Sequence, residues 1–251
     1  MSPALLDALE ARSGIVCAVG AGGKKTTLYA LFGAHTGRVG ITTTVMMTAF
    51  SRRLNAHRLI TEAGDMAAAV GEAARHSARI AFAHPSQKSG RVAGIGADMV
   101  AACHGAGGFD ATYVKADGAR MRSIKAPAEG EPGVPAETDV VLSIVSAVAF
   151  GAPLDEAIAH RPERVAAVTG LRPGEPISPE AVGHLLAAEE GALKSAPAGA
   201  RVIPVINAVD DGPRRREAER AAAVALERSR RLDRVVLTSH AREEPLLARI
   251  E

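Results

Sequence analysis

Eight residues near the start of the chain, Gly20-Ala21-Gly22-Gly23-Lys24-Lys25-Thr26-Thr27, combine the types from which a phosphate site is built. Glycines let consecutive backbone N–H groups turn inward around an anion, and a following helix N-terminus adds its positive end. A lysine neutralises phosphate charge, and a threonine hydroxyl, here Thr26, can ligate Mg²⁺. The segment lies between an apolar run at residues 15–19 and a stretch with helical spacing at residues 26–32, the strand-turn-helix context that such a loop requires. Its spacing departs from G-x-x-x-x-G-K-[ST], since Ala18 and Val19 stand six residues before Lys24 and Lys25. What remains is G-x-x-G-K ending at Lys24, or G-x-x-x-x-K-T ending at Lys25 and Thr26, so both lysines stay candidates. The plain alternative is a glycine-rich turn with exposed lysines.

Three further groups invite chemistry. Thr42, Thr43 and Thr44 close a short strand, where Thr43 and Thr44 could meet a phosphate or Mg²⁺, although threonine is also a good strand residue. Asp117 ends the hydrophobic run at residues 111–116, the usual place for a carboxylate that holds Mg²⁺ directly or through water, while Asp-Gly is also a common turn pair. The charged loop after it, residues 117–138, carries Lys125, Glu129 and Glu131 as candidates to act on the γ-phosphate or a client. That loop reads either as a lid closing over bound phosphates or as a proline-pinned connector. Asn207-Ala208-Val209-Asp210 matches the guanine-reading N-K-x-D pattern with Ala for Lys; Asp210 would face guanine N1 and N2, or Asp210 or Asp211 caps the helix that Pro213 begins.

Positioning these groups requires strands that end together. Buried-strand runs at residues 15–19, 38–41, 58–60, 79–82, 111–116, 139–145, 202–206 and 234–237 alternate with helical patterns at 65–76, 97–104, 154–160, 162–169, 179–190, 213–230 and 244–250. That alternation predicts an α/β fold: a mostly parallel, doubly wound sheet in a P-loop NTPase-like three-layer sandwich, with residues 1–251 as one domain.

Composition narrows the partners. Aromatics are 3% with no Trp, which leaves few rings on which bases of single-stranded nucleic acid could stack, and a net charge of +2 on a mixed surface offers no broad basic field. Nucleic acid is not expected as a partner. Arg outnumbers Lys by 24 to 6, yet Lys24, Lys25, Lys115 and Lys125 all fall in the two blocks above. Cys17 and Cys103 form neither a disulfide framework nor a metal spacing, and Cys17 reads as inert core. No signal peptide or membrane-length apolar run is evident, so a cytoplasmic protein without membrane contact is expected.

Taken in order, Val19-Gly20-Ala21-Gly22-Gly23-Lys24, Thr42 to Thr44, Ala116-Asp117-Gly118-Ala119-Arg120 with Lys125-Ala126-Pro127-Ala128-Glu129-Gly130-Glu131-Pro132, His160-Arg161-Pro162 and Ile206-Asn207 resemble the YqeC family. The resemblance implies a nucleotide-binding accessory protein, using ATP or GTP with Mg²⁺, that helps mature selenium-dependent molybdenum hydroxylases. Its partners would be such a hydroxylase or its molybdopterin cofactor. A P-loop NTPase with Mg²⁺-dependent hydrolysis is the first expectation; the alternatives are a non-catalytic nucleotide-gated adaptor or carrier of a molybdopterin-type cofactor, and a kinase or ligase that uses an acyl-phosphate step. Two departures bear on the metal: family turns commonly read G-A-G-G-K-T-T where Lys25 intrudes here, and an acid is common where Lys115 stands.

Overall fold

A computed structural model of the chain describes residues 3–62 and 64–251. The first half runs α1 Pro3–Ala8, β1 Gly14–Gly20, α2 Lys24–Ala34, β2 Val39–Thr43, β3 Met47–Thr48, β4 His57–Ile60, α3 Met66–Ala74, β5 Arg79–Pro85, β6 Arg91–Ala93, α4 Met99–Gly107 and β7 Ala111–Lys115. The second half runs β8 Ile124–Lys125, β9 Val140–Ser146, β10 Ala159–His160, α5 Pro162–Thr169, α6 Pro179–Ala187, β11 Arg201–Asn207, α7 Gly212–Arg228, β12 Val235–Thr238 and β13 Leu246–Ile250.

An eleven-stranded sheet has the order β13-β12-β11-β9-β1-β7-β2-β5-β6-β3, with β4 also paired to β5. Every pairing from β12 across to β5 is parallel. Within this sheet, among the described residues, the antiparallel pairs lie toward the edges, through β13, β6 and β3. β1 takes the middle because all five of its interior residues are apolar and buried, as a strand covered on both faces requires. Its side chains alternate: Ile15, Cys17 and Val19 join the core beneath α3 to α7, and Val16 and Ala18 join the core beneath α1 and α2. The result is a helix-sheet-helix layering.

The chain leaves β1 toward β2 on one side and later reaches β9 and β11 on the other. The winding therefore reverses at β1, and the carboxyl ends of β7, β1 and β9 border the crevice where open α/β sheets take ligands. The flanking helices are placed by ordinary signals. Ser178 caps α6 through the Ala181 N–H and Pro179 follows it; Asp211 caps α7 through the Arg214 N–H at 2.8 Å with Pro213 next. On α7 the buried residues Ala218, Ala221, Ala222 and Ala225 form one helical stripe. That stripe lets α6 approach so closely that a Cβ on Gly183 would sit 2.6 Å from Val224 Cβ.

Two expected helices are corrected. Residues 154–160 form turns that end in β10, because the Asp155 carboxylate accepts the N–H groups of Ala157 and Ile158 and so diverts them from a helix. Residues 244–250 instead contain β13, which pairs antiparallel with β12 from Val235↔Ile250 to Thr238↔Leu246; sheet pairing overrides the local helical spacing. The short elements α1, β3, β6, β8 and β10 escape any periodicity argument because they span too few residues.

Both cysteines are buried in the core, and burial pushes the Cys17 thiol up to about 12 and Cys103 up to about 11. Neither is expected to react with a disulfide reagent at about pH 8 until denaturant is added. A titratable thiol in the native protein would contradict this packing.

Candidate functional site

β1 delivers the glycine turn and α2 starts directly after it. Gly20 and Gly22 hold φ of 87° and 79°, and Gly23, the residue before α2, holds 142°. Side chains are excluded here for steric reasons as well: a Cβ on Gly22 would lie 2.4 Å from Ser146 Cβ, and one on Gly23 would lie 2.2 Å from Asn207 Nδ2. With glycine in the capping position and no side-chain cap, the first N–H groups of α2 lack intrahelical acceptors.

Asp117, two residues past β7, is the hub of the crevice and is 2% exposed. Its Oδ2 accepts from the Gly20 N–H at 2.9 Å and lies 3.0 Å from Lys125 Nζ. The Lys24 ammonium sits 2.7 Å from Oδ1 and also donates to the Gly20 carbonyl. The Lys24–Oδ1 contact is an ion pair without hydrogen-bond alignment. Beyond this close contact with the Lys24 ammonium, Oδ1 has no aligned hydrogen bond. Lys115 donates to the Asp117 carbonyl, and Lys125 also donates to Gly118 O at 2.8 Å and to Glu131 Oε2 at 3.0 Å. Arg161 completes the cluster with a two-pronged pair to Glu131, at 2.8 and 3.0 Å.

Four cations, Lys24, Lys115, Lys125 and Arg161, therefore face two anions, Asp117 and Glu131. Burial pulls Lys24 below the ordinary lysine value, with Asp117 opposing, and pulls Lys115 down to about 8, with Lys24 adding to the effect. A buried excess of positive charge is costly alone and favours binding of an anion. Beside the hub lies a cavity of about 30 Å³ lined by Gly20, Asp117, Lys125, Ile144 and Leu186 among others, large enough for about two waters and far too small for a nucleotide.

The remaining candidates are distributed around this centre. Ala21 is buried and donates to Ile144 O at 2.7 Å. Lys25 is half-buried with its ammonium 5.5 Å from the Tyr29 ring centroid, so the two lysines separate: Lys24 enters the crevice and Lys25 does not. Thr26 is exposed and lines a different depression, with Tyr29, Arg79 and His240. Thr27 is buried against His240, Oγ1 to Nε2 3.1 Å. Thr43 Oγ1 lies within hydrogen-bond distance of Lys115 O and Val45 O, at 2.9 and 2.7 Å, and Thr44 donates to Gly133 O at 3.0 Å. Asn207 braces the turn from behind, donating to Gly22 O at 2.9 Å and accepting from Thr238 at 3.1 Å. Asp210 accepts from Ser239 at 2.6 Å, and Glu129 is exposed. Asn207 thus has both amide ends occupied by protein.

A resident Mg²⁺ fits this donor set poorly. The Asp117 carboxylate already neutralises two ammoniums, Thr26 opens on a separate depression, and no group of three His, Cys, Asp or Glu suited to a metal occurs among the described residues. Oδ1, which faces the Lys24 ammonium without an aligned hydrogen bond, is the one feature in its favour.

The segment at 117–138 is braced along its length. β8 pairs in parallel with β10, Ser146 donates to Ser123 O at 2.9 Å, and Gly133 donates to Ala116 O at 3.1 Å. In this structure these bonds tie the segment to β10, to the end of β9 and to Ala116. Sequence reasoning missed Ser146, and met Arg161 only within the His160-Arg161-Pro162 match to the family. His160-Arg161-Pro162 reads as a helix start, and the Arg161 side chain reaches Glu131 from the residue before α5. Ser146 could have been found as the last residue of a strand bordering the crevice.

Glu131 yields a pH-dependent prediction. The Arg161 hydrogen bonds, opposed by burial and helped by Lys125, lower its carboxyl from an ordinary 4.5 to about 2. Because the folded value is depressed, its stabilisation is complete above about pH 4.5 and lost as pH falls toward about 2. The stability gap between the wild type and Glu131→Gln is therefore expected to shrink over that window. A constant gap would mean that the carboxylate charge is not what Arg161 and Lys125 hold.

The comparisons with known proteins agree on one family. The family model described as YqeC protein matches residues 16–163, which include every member of the Asp117 cluster. The chain is also 30% identical over 203 residues to the uncharacterized protein YqeC of Escherichia coli (strain K12), covering 79% of this chain and 77% of that one. Among the described residues, no helix is long and apolar enough to cross a membrane.

Proposed function

The chain belongs to the YqeC family, and from that premise we propose that it is a nucleotide-binding accessory protein whose glycine turn holds the phosphates of ATP or GTP. The observation that carries this reading is the buried cationic excess around Asp117, placed beside N–H groups at the start of α2 that have no helical acceptor. The cavity is too small to admit phosphates, so they lie along the outer side of the turn. Lys24 meets them by swinging off Gly20 O and Asp117. Mg²⁺ enters as the counterion of the nucleotide, coordinated mainly by phosphate oxygens, rather than as a resident metal.

Binding without rapid hydrolysis is favoured by the state of the acids. Glu131 is held ionised by Arg161, with its carboxyl lowered to about 2, and Asp117 is paired with two lysines, so neither is a competent general base near neutral pH. A nucleotide-gated adaptor, or a carrier of a molybdopterin-type phosphorylated cofactor, accords with that. The accessory role toward selenium-dependent molybdenum hydroxylases, in the cytoplasm and through such a hydroxylase as client, follows the family resemblance and belongs to the same proposal.

Equilibrium binding of ATP, GTP and a molybdopterin nucleotide, each with and without Mg²⁺, tests the reading. Saturable binding of at least one ligand, with phosphate release slow or absent, is expected. Absence of binding for all three would refute it, and fast Mg²⁺-dependent hydrolysis would replace the adaptor reading with an NTPase.

A further inference from the structure

A second depression is bordered by β10 and the start of α5. It has a volume of about 250 Å³ and is lined by Arg120, Arg122, His160 and Arg161, with Glu156 and Glu163 also on its wall. We infer that this depression is a second oxyanion site, which takes a single phosphate group between the guanidinium groups of Arg120, Arg122 and Arg161.

Four observations carry the assignment. Arg120 and Arg122 have no acidic partner among the described residues, whereas Arg161 is already aligned by its two-pronged pair to Glu131. The backbone that presents them is held in an unfavourable region: Arg120 and Met121 have φ of 44° and 63°, in a turn closed by the Arg122 N–H on Ala119 O at 2.8 Å, and Arg161 has φ of 64°. L side chains adopt that region rarely, and such conformations concentrate where a side chain must be aimed. With Arg161 paired to Glu131, Arg120 and Arg122 are the two guanidiniums of the wall without a carboxylate partner among the described residues, a charge suited to one phosphate group rather than a triphosphate chain. The lining offers no Phe, Tyr or Trp ring and only short apolar contacts, which argues against a base.

His160 reports independently on the same field. Burial, then Arg161, Lys125 and Arg120, hold its imidazole below the ordinary histidine value, with Glu131 opposing. An added dianion would raise it. Glu131 also links this depression to the Asp117 centre, since its carboxylate is shared by Arg161 and Lys125. A phosphate drawing on Arg161 loosens the hold on Glu131 and, through Lys125, changes the field around Asp117.

The test follows the His160 Cε1–H resonance of the full chain by NMR, assigned with His160→Gln. Inorganic phosphate and glycerol 3-phosphate are titrated at constant ionic strength against chloride. A saturable shift and an upward move of the His160 pKa are expected in the wild type and are retained, with at most a modest change in affinity, in Lys24→Ala, which separates this site from the glycine turn. Arg120→Ala/Arg122→Ala should weaken the effect at least tenfold while leaving the thermal midpoint unchanged. Tighter binding of the ester assigns the phosphate to an organic ligand, and equal affinities assign it to phosphate itself. A shift that never saturates, that chloride reproduces, or that persists in the double variant would overturn the site.

Discussion

Asp117→Asn is expected to lower folding stability by about 3–5 kcal/mol, the range for removing one partner from a buried ion pair. The carboxylate lies 2.7 Å from Lys24 Nζ and 3.0 Å from Lys125 Nζ, and both lysines are 5% exposed. Asparagine keeps the shape and the acceptor for the Gly20 N–H, so the loss isolates charge from packing. The denaturant midpoint should fall with an unchanged m-value. Adding Lys24→Met should recover part of the loss, because one of the stranded ammoniums is then gone. If Asp117→Asn matches the wild type, the carboxylate is not the counterion of the cluster. The same variant addresses the metal: a loss of nucleotide binding that is equal with and without Mg²⁺ would mark Asp117 as structural, and a loss confined to Mg²⁺ would mark it as a metal contact.

Lys24→Ala should weaken nucleotide binding by roughly 10- to 150-fold, the equivalent of the ~1.5–3 kcal/mol carried by one charge-assisted contact to phosphate. Lys25→Ala should change affinity by about threefold or less, because that ammonium lies over Tyr29 on the half-exposed side of α2. The asymmetry matters more than either value. Equal losses would place the phosphates on the outer face of the helix, and a larger loss at Lys25 would support the alternative spacing that ends at Lys25 and Thr26. Circular dichroism of both variants separates binding from folding, since Lys24→Ala still leaves Asp117 paired with Lys125.

The parts of the site set by local chemistry were legible in the sequence. Residues 15–19 could only be a buried strand, and the glycines and lysines after them could only form a tight turn opening a helix. Asp117 stood at a strand end, where the sheet brings it to Gly20. What the sequence could not carry were contacts made across the sheet. Asn207 lies 185 residues from Gly22 yet supports it, and Glu131 is joined to an arginine 30 residues further on. The choice between Lys24 and Lys25 depends on helix phase: with α2 beginning at Lys24, one side chain turns to the strand ends and the next turns away. Residues 154–160 misled because Asp155 binds the backbone locally, a competition that helical spacing does not register. Residues 244–250 misled because β12 offered an edge to pair with.

In the proposed complex, phosphates lie on the N–H groups of the turn and the first turn of α2. Backbone ¹H–¹⁵N spectra of the full chain, recorded with and without a Mg²⁺-bound non-hydrolysable nucleotide, test this placement most directly. Saturable shifts concentrated at Gly22, Gly23, Lys24 and Lys25 are expected, displaced to at least tenfold higher ligand concentration by Lys24→Ala. Saturable shifts that leave those four amides unmoved, or that survive Lys24→Ala unchanged, would contradict it.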